Sequence, residues 1–264
     1  MSDVLNTICL GIIEGITEFL PISSTGHLLI AEHWLGHRSE LFNVAIQSGA
    51  ILAIVLIYWR RLVELLTRLD VPANRDYALK FCVSVLITLV LAFGATRLGA
   101  KLPEEVLPVA IALLGGGVLI LVIERLIAAR PQMQALTWSV VVWVGVAQVI
   151  AGVFPGTSRS AAAIFAAMLA GLTSRPAATE FAFLVGIPIM FAATGYEFLK
   201  QRHDSGPEDW SALAIGFVVS GIVAFISVKW LLRYVQSHRF TLFAWYRIAA
   251  GALLLGFIAS GTLA

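Results

Sequence analysis

Residues 14–27, EGITEFLPISSTGH, interrupt an apolar stretch over residues 4–36 with two carboxylates, a proline and a cluster of hydroxyls. A second apolar stretch, residues 138–173, is interrupted near its middle by residues 155–160, PGTSRS. On either side of each break, the apolar run is too short to cross a ~30 Å hydrocarbon layer as a helix. We therefore expect two re-entrant helix–loop–helix hairpins. Because irregular backbone at membrane depth must be buried in protein or line a wet cavity, they predict an internal polar site.

The rest of the chain has the composition of an integral membrane protein. Of its 264 residues, 59% are hydrophobic and 13% are charged, about half the charged fraction of ~25% that is usual in soluble domains. The net charge of +2, with no run of Lys and Arg, argues against a nucleic-acid partner. We expect an all-α membrane protein with six transmembrane helices plus the two hairpins. The predicted spans are residues 41–59, 78–98, 106–127, 180–199, 211–232 and 243–262.

The two interrupted regions resemble each other, and three predicted spans follow each of them. An odd number of spans per repeat gives the second copy the opposite orientation, as in many transporters. We therefore interpret residues 1–264 as one polytopic membrane domain containing an inverted repeat, with repeat one at about 1–130 and repeat two at about 131–264. The two loops should then meet near the membrane midplane. A constant offset pairs Gly11 with Gly145, Glu14 with Gln148, Pro21 with Pro155, Ser23 with Thr157 and Ser24 with Ser158.

The distribution of basic residues predicts the orientation in the membrane. Connections after the first, third and fifth spans are strongly basic, whereas those after the second and fourth also carry acidic residues. The positive-inside rule places the first set in the cytoplasm and both termini outside. The first hairpin then enters from the outer side and the second from the cytoplasm. The basic set is Arg60, Arg61, Arg68, Arg75, Lys80, Arg125, Arg130, Lys229, Arg233 and Arg239; the mixed set is Arg97, Lys101, Glu104, Glu105, Lys200, Arg202, Asp204, Glu208 and Asp209.

Glu14 and Glu18 are four residues apart and therefore share one face of a helix. Burying two carboxylates in an apolar hairpin is unfavourable unless a proton, a metal ion or a basic residue such as Arg159 compensates their charge. Paired carboxylates can act as general acid and base or hold a divalent cation. The alternative is a helix near the surface on which both carboxylates are hydrated.

The hydroxyl-rich runs of both breaks have the chemistry of an oxyanion site. Ser and Thr favour helix N-caps, where free N–H groups and the helix dipole suit a phosphate. In the first break, His27 could act as an acid, a base or a nucleophile. In the second, the planar guanidinium of Arg159 matches phosphate oxygens, although a structural ion pair with either glutamate is the alternative. The candidate substrate-binding residues are Ser23, Thr25, Gly26, Thr157, Ser158 and Ser160.

The runs at residues 14–27 and 155–160 closely resemble the two signature motifs of the undecaprenyl-diphosphate phosphatase family, also called the bacitracin-resistance proteins. The resemblance implies hydrolysis of undecaprenyl diphosphate to undecaprenyl phosphate and inorganic phosphate, which recycles the lipid carrier of bacterial wall synthesis. It also implies a multi-pass protein of the bacterial inner membrane, an active site open to the periplasmic side, an isoprenoid lipid diphosphate as substrate, a divalent cation such as Mg²⁺ or Ca²⁺, and frequent homodimers.

Matched by position, Glu14 and Glu18 correspond to the family's acidic pair and are the candidate metal ligands. Ser24 and His27 correspond to its nucleophile or acid–base residues, and Arg159 with Ser158 to its phosphate-binding residues. One stretch departs from the family pattern: residues 161–163 are Ala-Ala-Ala, where the family usually has Gly-x-Thr. The departure removes a hydroxyl and a flexible glycine, so the resemblance implies no substrate contact there.

Two questions stay open at the level of sequence. The nucleophile can be Ser24, His27 or water, and if it is Ser24, His27 is its expected proton partner. The function can also be that of a transporter or flippase for a phosphorylated lipid, because inverted repeats with broken helices are typical of transporters. The number of reactive groups in residues 14–27 exceeds what binding alone requires and favours the enzyme.

Overall fold

A computed structural model describes residues 3–100, 105–201 and 209–261, which fold into α-helices without any strand. Within these ranges six helices, those that begin at Glu40, Pro72, Val106, Arg175, Trp210 and Thr241, are long and apolar enough to cross a membrane. The prediction of an all-α membrane protein with six spans is confirmed. The helices are α1 (Asp3–Thr17), α2 (Ser24–Leu35), α3 (Glu40–Ile57), α4 (Trp59–Thr67), α5 (Pro72–Arg97), α6 (Val106–Ala128), α7 (Trp138–Val153), α8 (Arg159–Leu169), α9 (Arg175–Gln201), α10 (Trp210–Ser237) and α11 (Thr241–Ala259).

Four short helices occupy the two interrupted regions. They contain 15, 12, 16 and 11 residues for α1, α2, α7 and α8, so at 1.5 Å per residue each is about 16–24 Å long and shorter than a bilayer core. Helix α1 packs against α2, and α7 packs against α8. The two helix–loop–helix pairs are therefore present, and that each turns inside the bilayer remains a prediction.

The hairpins are each held by a long helix of the opposite half of the chain. Helix α1 lies along α10, where a side chain at Gly15 would meet the carbonyl oxygen of Ser220 at 2.7 Å. Helix α7 lies along α5, where the Thr88 hydroxyl donates to the carbonyl of Gly145 at 3.0 Å. Small residues permit this close approach of helices. Each half therefore contributes a long helix that supports the hairpin of the other half, as expected if the two halves are equivalent.

Helices α6 and α11 show the same equivalence in their direct contact. A side chain at Gly117 would meet the carbonyl oxygen of Ala244 at 2.7 Å, and one at Gly251 would meet that of Ala110 at 2.8 Å. One offset, 134 residues, relates 117 to 251 and 110 to 244, so the two contacts are copies of each other. The helices are antiparallel, and a two-fold axis that relates antiparallel helices is perpendicular to them. This geometry supports the predicted inverted repeat.

A buried ion pair joins the two halves at the other end of α6. The Glu124 carboxylate, 1% exposed, accepts two hydrogen bonds from Arg175 at 2.9 and 2.5 Å. It also accepts the backbone N–H of Phe240 at 2.9 Å, just before α11 begins. One carboxylate of the first half therefore fixes the starts of two helices of the second half.

The observed spans differ from the predicted ones mainly at their polar ends. Helix α5 begins at Pro72, six residues before the predicted start, because proline is favoured in the first turn of a helix even where the sequence is polar. Helix α4 was not predicted; it is short and amphipathic, and hydropathy detects only long apolar runs. The mixed connections at 101–104 and 202–208, with Lys101, Glu104, Arg202, Asp204 and Glu208, lie outside the described residues.

Candidate active site

The two hairpin loops end in the same unusual backbone geometry. Ser23 caps α2 with φ 74°, and its hydroxyl accepts the N–H of Gly26 at 3.4 Å. Ser158 caps α8 with φ 69°, and its hydroxyl accepts the N–H of Ala161 at 3.3 Å. Among the described residues these are the only non-glycine residues with positive φ. Such strain costs about 1–3 kcal/mol per residue and is concentrated at functional sites.

This geometry corrects the predicted alignment of the repeats. The structure makes Ser23 equivalent to Ser158, whereas the constant offset paired Ser23 with Thr157 and Ser24 with Ser158. The cause is one additional residue between the proline and the N-cap of the second loop. Ser24 is therefore equivalent to Arg159, the first residue of α8.

A small polar cavity of about 30 Å³ lies between the two loops. This volume accommodates about one or two water molecules. The cavity brings together residues from both motifs, and most of them were predicted as site residues. Its lining is Glu18, Ser23, Ser24, Thr25, Ala151, Pro155, Gly156, Ser158 and Arg159.

A serine and a glutamate are in direct contact in this cavity. The hydroxyl of Ser24 donates a short hydrogen bond to Oε2 of Glu18. Both side chains are buried, 8% and 7% exposed respectively. A hydroxyl bonded to a carboxylate is the arrangement of an activated nucleophile and its base.

The guanidinium of Arg159 lines the same cavity and is half-buried. In the part of the chain that the structure describes, it makes no hydrogen bond and no ion pair with Glu14 or Glu18. The alternative of a structural ion pair with either glutamate is therefore not observed. Its donors are available for an anion in the cavity.

Glu14 lies one turn before Glu18 and is 1% exposed. It does not line the cavity, but its carboxylate lies within electrostatic range of both Glu18 and Arg159. Its Oε2 has no hydrogen-bond partner. The hydrated-surface alternative is therefore wrong for this pair, because both carboxylates are buried.

The buried carboxylates of Glu14 and Glu18 are the side chains that could hold the expected divalent cation. No group of three or more His, Cys, Asp or Glu side chains suited to a metal occurs among the described residues. Mg²⁺, however, is often held by one or two carboxylates together with substrate phosphates. Two adjacent buried carboxylates, one with an unpaired oxygen, fit that smaller requirement.

Among the described residues, His27 forms no hydrogen bond with Ser24. Its Nδ1 lies 2.6 Å from the carbonyl oxygen of Ser23, and its Nε2 lies 2.6 Å from the hydroxyl of Tyr246, on which the ring stacks. The expected pairing of Ser24 with His27 is therefore wrong for this structure, in which Glu18 takes that place. One turn of helix separates the two side chains, and sequence does not determine the direction in which each points.

Three further predicted site residues lie outside the cavity. Gly26 packs against α6, where a side chain would meet Val109 at 2.9 Å. The hydroxyl of Ser160 donates to the carbonyl of Leu20 at 3.1 Å and so joins the two loops. Thr157 lines an apolar groove on the other side of the second loop. These residues shape and connect the loops.

Arg247 is a central residue that sequence reasoning missed. It lies in α11, is fully buried, and donates five hydrogen bonds to backbone carbonyls. A lone arginine inside the apolar segment 243–262 was the signal, because ionisable residues within a span are rarely without function. It holds both loops against α6. The acceptors are Pro21, Ala112, Leu113, Gly156 and Thr157, at 2.9–3.4 Å.

The Ala-Ala-Ala departure does not reach the cavity. Ala163 is fully buried in the main apolar core, and Ala161 is 5% exposed. The backbone N–H of Ala161 still forms the cap with Ser158. The missing hydroxyl at position 163 would have faced the protein interior.

The family profile described as bacitracin resistance protein BacA matches residues 7–253. This chain belongs to that family. The matched range includes both hairpin motifs, and BacA-family membership confirms the resemblance found in the sequence.

Relatives named undecaprenyl-diphosphatase match almost the entire chain. The protein from Rhizobium etli is 60% identical over 264 residues, which cover 99% of this chain and 100% of the relative. The protein from Stenotrophomonas maltophilia is 56% identical with the same coverage. The protein from Xanthomonas campestris is 54% identical over 257 residues, 97% of this chain and 98% of the relative.

Proposed function

We propose that this chain is an undecaprenyl-diphosphate phosphatase, which hydrolyses undecaprenyl diphosphate to undecaprenyl phosphate and inorganic phosphate. Its membership in the bacitracin resistance family and its full-length similarity to proteins named undecaprenyl-diphosphatase support this activity. The reaction regenerates the lipid carrier for cell-wall synthesis and confers bacitracin resistance. The contact between Ser24 and Glu18, in a cavity that Arg159 also lines, is the observation that carries the chemistry.

In the proposed first step, Ser24 is the nucleophile. Glu18 accepts the hydroxyl proton while Oγ attacks the terminal phosphorus, and the bond between that phosphorus and the bridging oxygen breaks. Undecaprenyl phosphate leaves with the bridging oxygen, and Ser24 carries the phosphoryl group. Arg159 and the N–H groups at the start of α8 stabilise the charge on the phosphoryl oxygens.

In the second step, water attacks the phosphoserine. The proton on Glu18 is first lost to solvent or to the departing product, and Glu18 then accepts a proton from the water molecule. The phosphorus–Oγ bond breaks, Ser24 regains a proton, and inorganic phosphate is released. His27 does not touch the reacting atoms in this mechanism; it positions the first loop through the carbonyl of Ser23.

Glu14 and Glu18 are the residues that would hold a divalent cation, Mg²⁺ or Ca²⁺, together with phosphate oxygens. The unpaired buried oxygen of Glu14 supports this assignment. A bound cation would supply positive charge that neutralises the phosphates. Glu14 and Glu18 would position the ion, and Glu18 also accepts the proton in each step.

We place the protein in the bacterial inner membrane as a multi-pass protein with the active site open to the periplasmic side. The basic connections support this orientation. The expected ligands are the isoprenoid lipid diphosphate and membrane lipids, without nucleic acid. A homodimer, which the family resemblance implies, is part of the proposal.

The decisive experiment measures phosphate release from C55 and C15 isoprenyl diphosphates by purified protein in detergent, with and without Mg²⁺ or Ca²⁺. Ser24→Ala, Glu18→Gln and Arg159→Ala should each lower kcat/KM by at least ~10²-fold. Matched controls are Glu40→Gln and Arg60→Ala, which change exposed residues outside the cavity.

Rapid quenching with a substrate labelled in the terminal phosphate identifies the nucleophile. Label on a peptide containing Ser24 supports the mechanism. Label on His27, or no covalent label during turnover, contradicts Ser24 as the nucleophile. Substrate binding without phosphate release under any cation would contradict the enzyme and favour a lipid transporter.

A further inference from the structure

A second, larger cavity is an apolar groove of about 750 Å³ between α6, α7 and α8. Its walls consist of small and apolar side chains, among them Gly116, Trp143, Ala162 and Ala166. Thr157 and Arg247 also line the groove. The volume lies within the ~300–1,000 Å³ range of pockets that enclose most of a small ligand. The catalytic steps in the polar cavity do not use this groove.

The two-fold relation between the halves identifies the counterparts of two residues that line the groove. The 134-residue offset of α6 and α11 makes Ala112 the counterpart of Tyr246. The N-cap equivalence of Ser23 and Ser158 makes Ala162 the counterpart of His27, each four residues after its cap.

Beside the first hairpin, His27 of α2 stacks on Tyr246 of α11, with their ring centres 5.6 Å apart. Beside the second hairpin, Ala112 of α6 and Ala162 of α8 both line the groove. Two alanines therefore stand beside the second hairpin where two aromatic rings stand beside the first. Two aromatic rings at these positions would occupy part of the groove, so the two alanines help to keep it open.

The groove adjoins the candidate active site across a single turn of backbone. Thr157 lines the groove, while its neighbours Gly156 and Ser158 line the polar cavity. A polar compartment next to an apolar one suits a ligand that has a charged head and a long apolar chain. The lipid diphosphate of the proposed function is such a ligand.

We propose that this groove binds part of the isoprenoid chain of the substrate while its phosphates occupy the polar cavity. The inference rests on the proposed function and extends it to the chain-length preference, which sequence left open. Burial of apolar chain against these walls contributes affinity in proportion to the area removed from water or detergent. A phospholipid acyl chain has similar chemistry, so the test must separate the two sources.

Photolabelling of the unmodified protein tests the groove independently of catalysis. The probe is an isoprenyl monophosphate that carries a benzophenone on its chain, and labelled peptides are located by mass spectrometry. We expect label on α7 and α8, including Trp143 or its neighbours, that excess undecaprenyl phosphate removes and excess phosphatidylglycerol does not. Label elsewhere, or equal competition by both lipids, would overturn the inference.

A variant that fills the groove gives the kinetic test. Ala166→Phe should lower kcat/KM for the C55 substrate at least ~10-fold more than for the C15 substrate, because the longer chain loses more buried contact. Ala193→Phe, at an exposed position of α9 outside the groove, is the matched control. Equal effects on both substrates would contradict binding of the chain in the groove.

The two proposals fail in different ways. Phosphate release by the unmodified protein with label outside the groove would reject the groove and leave the phosphatase intact. Specific label in the groove without phosphate release would reject the phosphatase. If the Ala166→Phe protein does not fold, photolabelling of the unmodified protein still decides whether the groove binds the isoprenoid chain.

Discussion

At the scale of single residues, Ser23 and Ser158 hold a backbone conformation that serine rarely adopts, and each also supplies a cap to the helix that follows. The strain and the cap have opposite effects on stability. Glycine at such a position removes the strain and loses only a few tenths of a kcal/mol of capping, whereas alanine keeps the strain and loses about 1 kcal/mol.

Ser158→Ala should therefore lower the thermal stability in detergent more than Ser158→Gly does. Thr96 provides the control, because it lies in the last turns of α5 at an ordinary, exposed helical position. There, glycine should destabilise more than alanine, by up to about 1 kcal/mol. If the alanine and glycine variants have the same order of thermal stability at positions 158 and 96, the role assigned to the positive φ of Ser158 is contradicted.

Arg247 acts through geometry as much as through charge. Its planar group directs five donors at carbonyls in both loops and α6. A lysine has the charge but offers only three donors from one point. We expect Arg247→Lys to lower kcat at least ~10-fold while KM changes less, because the loops lose their relative position.

The control for Arg247 is Arg233→Lys, at an exposed position of α10. Circular dichroism and gel filtration establish that each variant is folded before the kinetics are compared. A folded Arg247→Lys protein with unchanged kcat would show that the loops are positioned without this residue.

At the scale of helices, glycine determines where two backbones touch. A side chain at Gly49 of α3 would lie 2.2 Å from the carbonyl oxygen of Phe217 in α10, whereas one at Gly94 of α5 would meet nothing. Gly49→Ala should destabilise the protein by about 1–3 kcal/mol, since the helices must separate. Gly94→Ala should be neutral or stabilising. Thermal unfolding of both variants in one detergent tests the difference, and equal effects would contradict the close contact.

The helices also show what sequence could predict. Hydropathy located all six spans because long apolar runs have few other uses. It missed α4 and the polar first turns of α5, which extend beyond the apolar runs. The motifs identified Glu18, Ser24 and Arg159, whose side chains meet in the cavity. Which residues a side chain contacts depends on how its helix is rotated and positioned against its neighbours, and sequence alone does not determine this. The contacts of His27 and the role of Arg247 therefore appeared only in the structure.

At the scale of the whole molecule, buried polar groups connect the halves of the chain. Glu124 of the first half binds Arg175 and the N–H of Phe240 in the second. Arg175→Met leaves this carboxylate without its cation, and we expect a loss of about 3–5 kcal/mol. The double variant Glu124→Met, Arg175→Met should recover most of it.

The exposed pair Lys80–Asp76 is the control for this effect, because the Asp76 side chain is 58% exposed. Asp76→Ala should change stability by no more than about 1 kcal/mol. Unfolding followed in one detergent compares all the variants. A double variant as unstable as Arg175→Met alone would contradict the unpaired-charge explanation.

Arg247 also bears on the ancestry of the chain. By the 134-residue offset its counterpart is Leu113, and the two are in direct contact, since Nε of Arg247 donates to the carbonyl of Leu113 at 3.4 Å. A residue that touches its own counterpart lies on the two-fold axis. In an ancestral dimer of identical halves, both positions would have carried the same residue, and two arginines would have met in an apolar interior. We therefore infer that the arginine arose only after gene duplication and fusion had allowed the halves to diverge.

The substitution Leu113→Arg places two arginines side by side again, as in the ancestral dimer, and should abolish folded protein on gel filtration. The control Leu113→Met should leave the protein folded. A stable Leu113→Arg protein would reject this history.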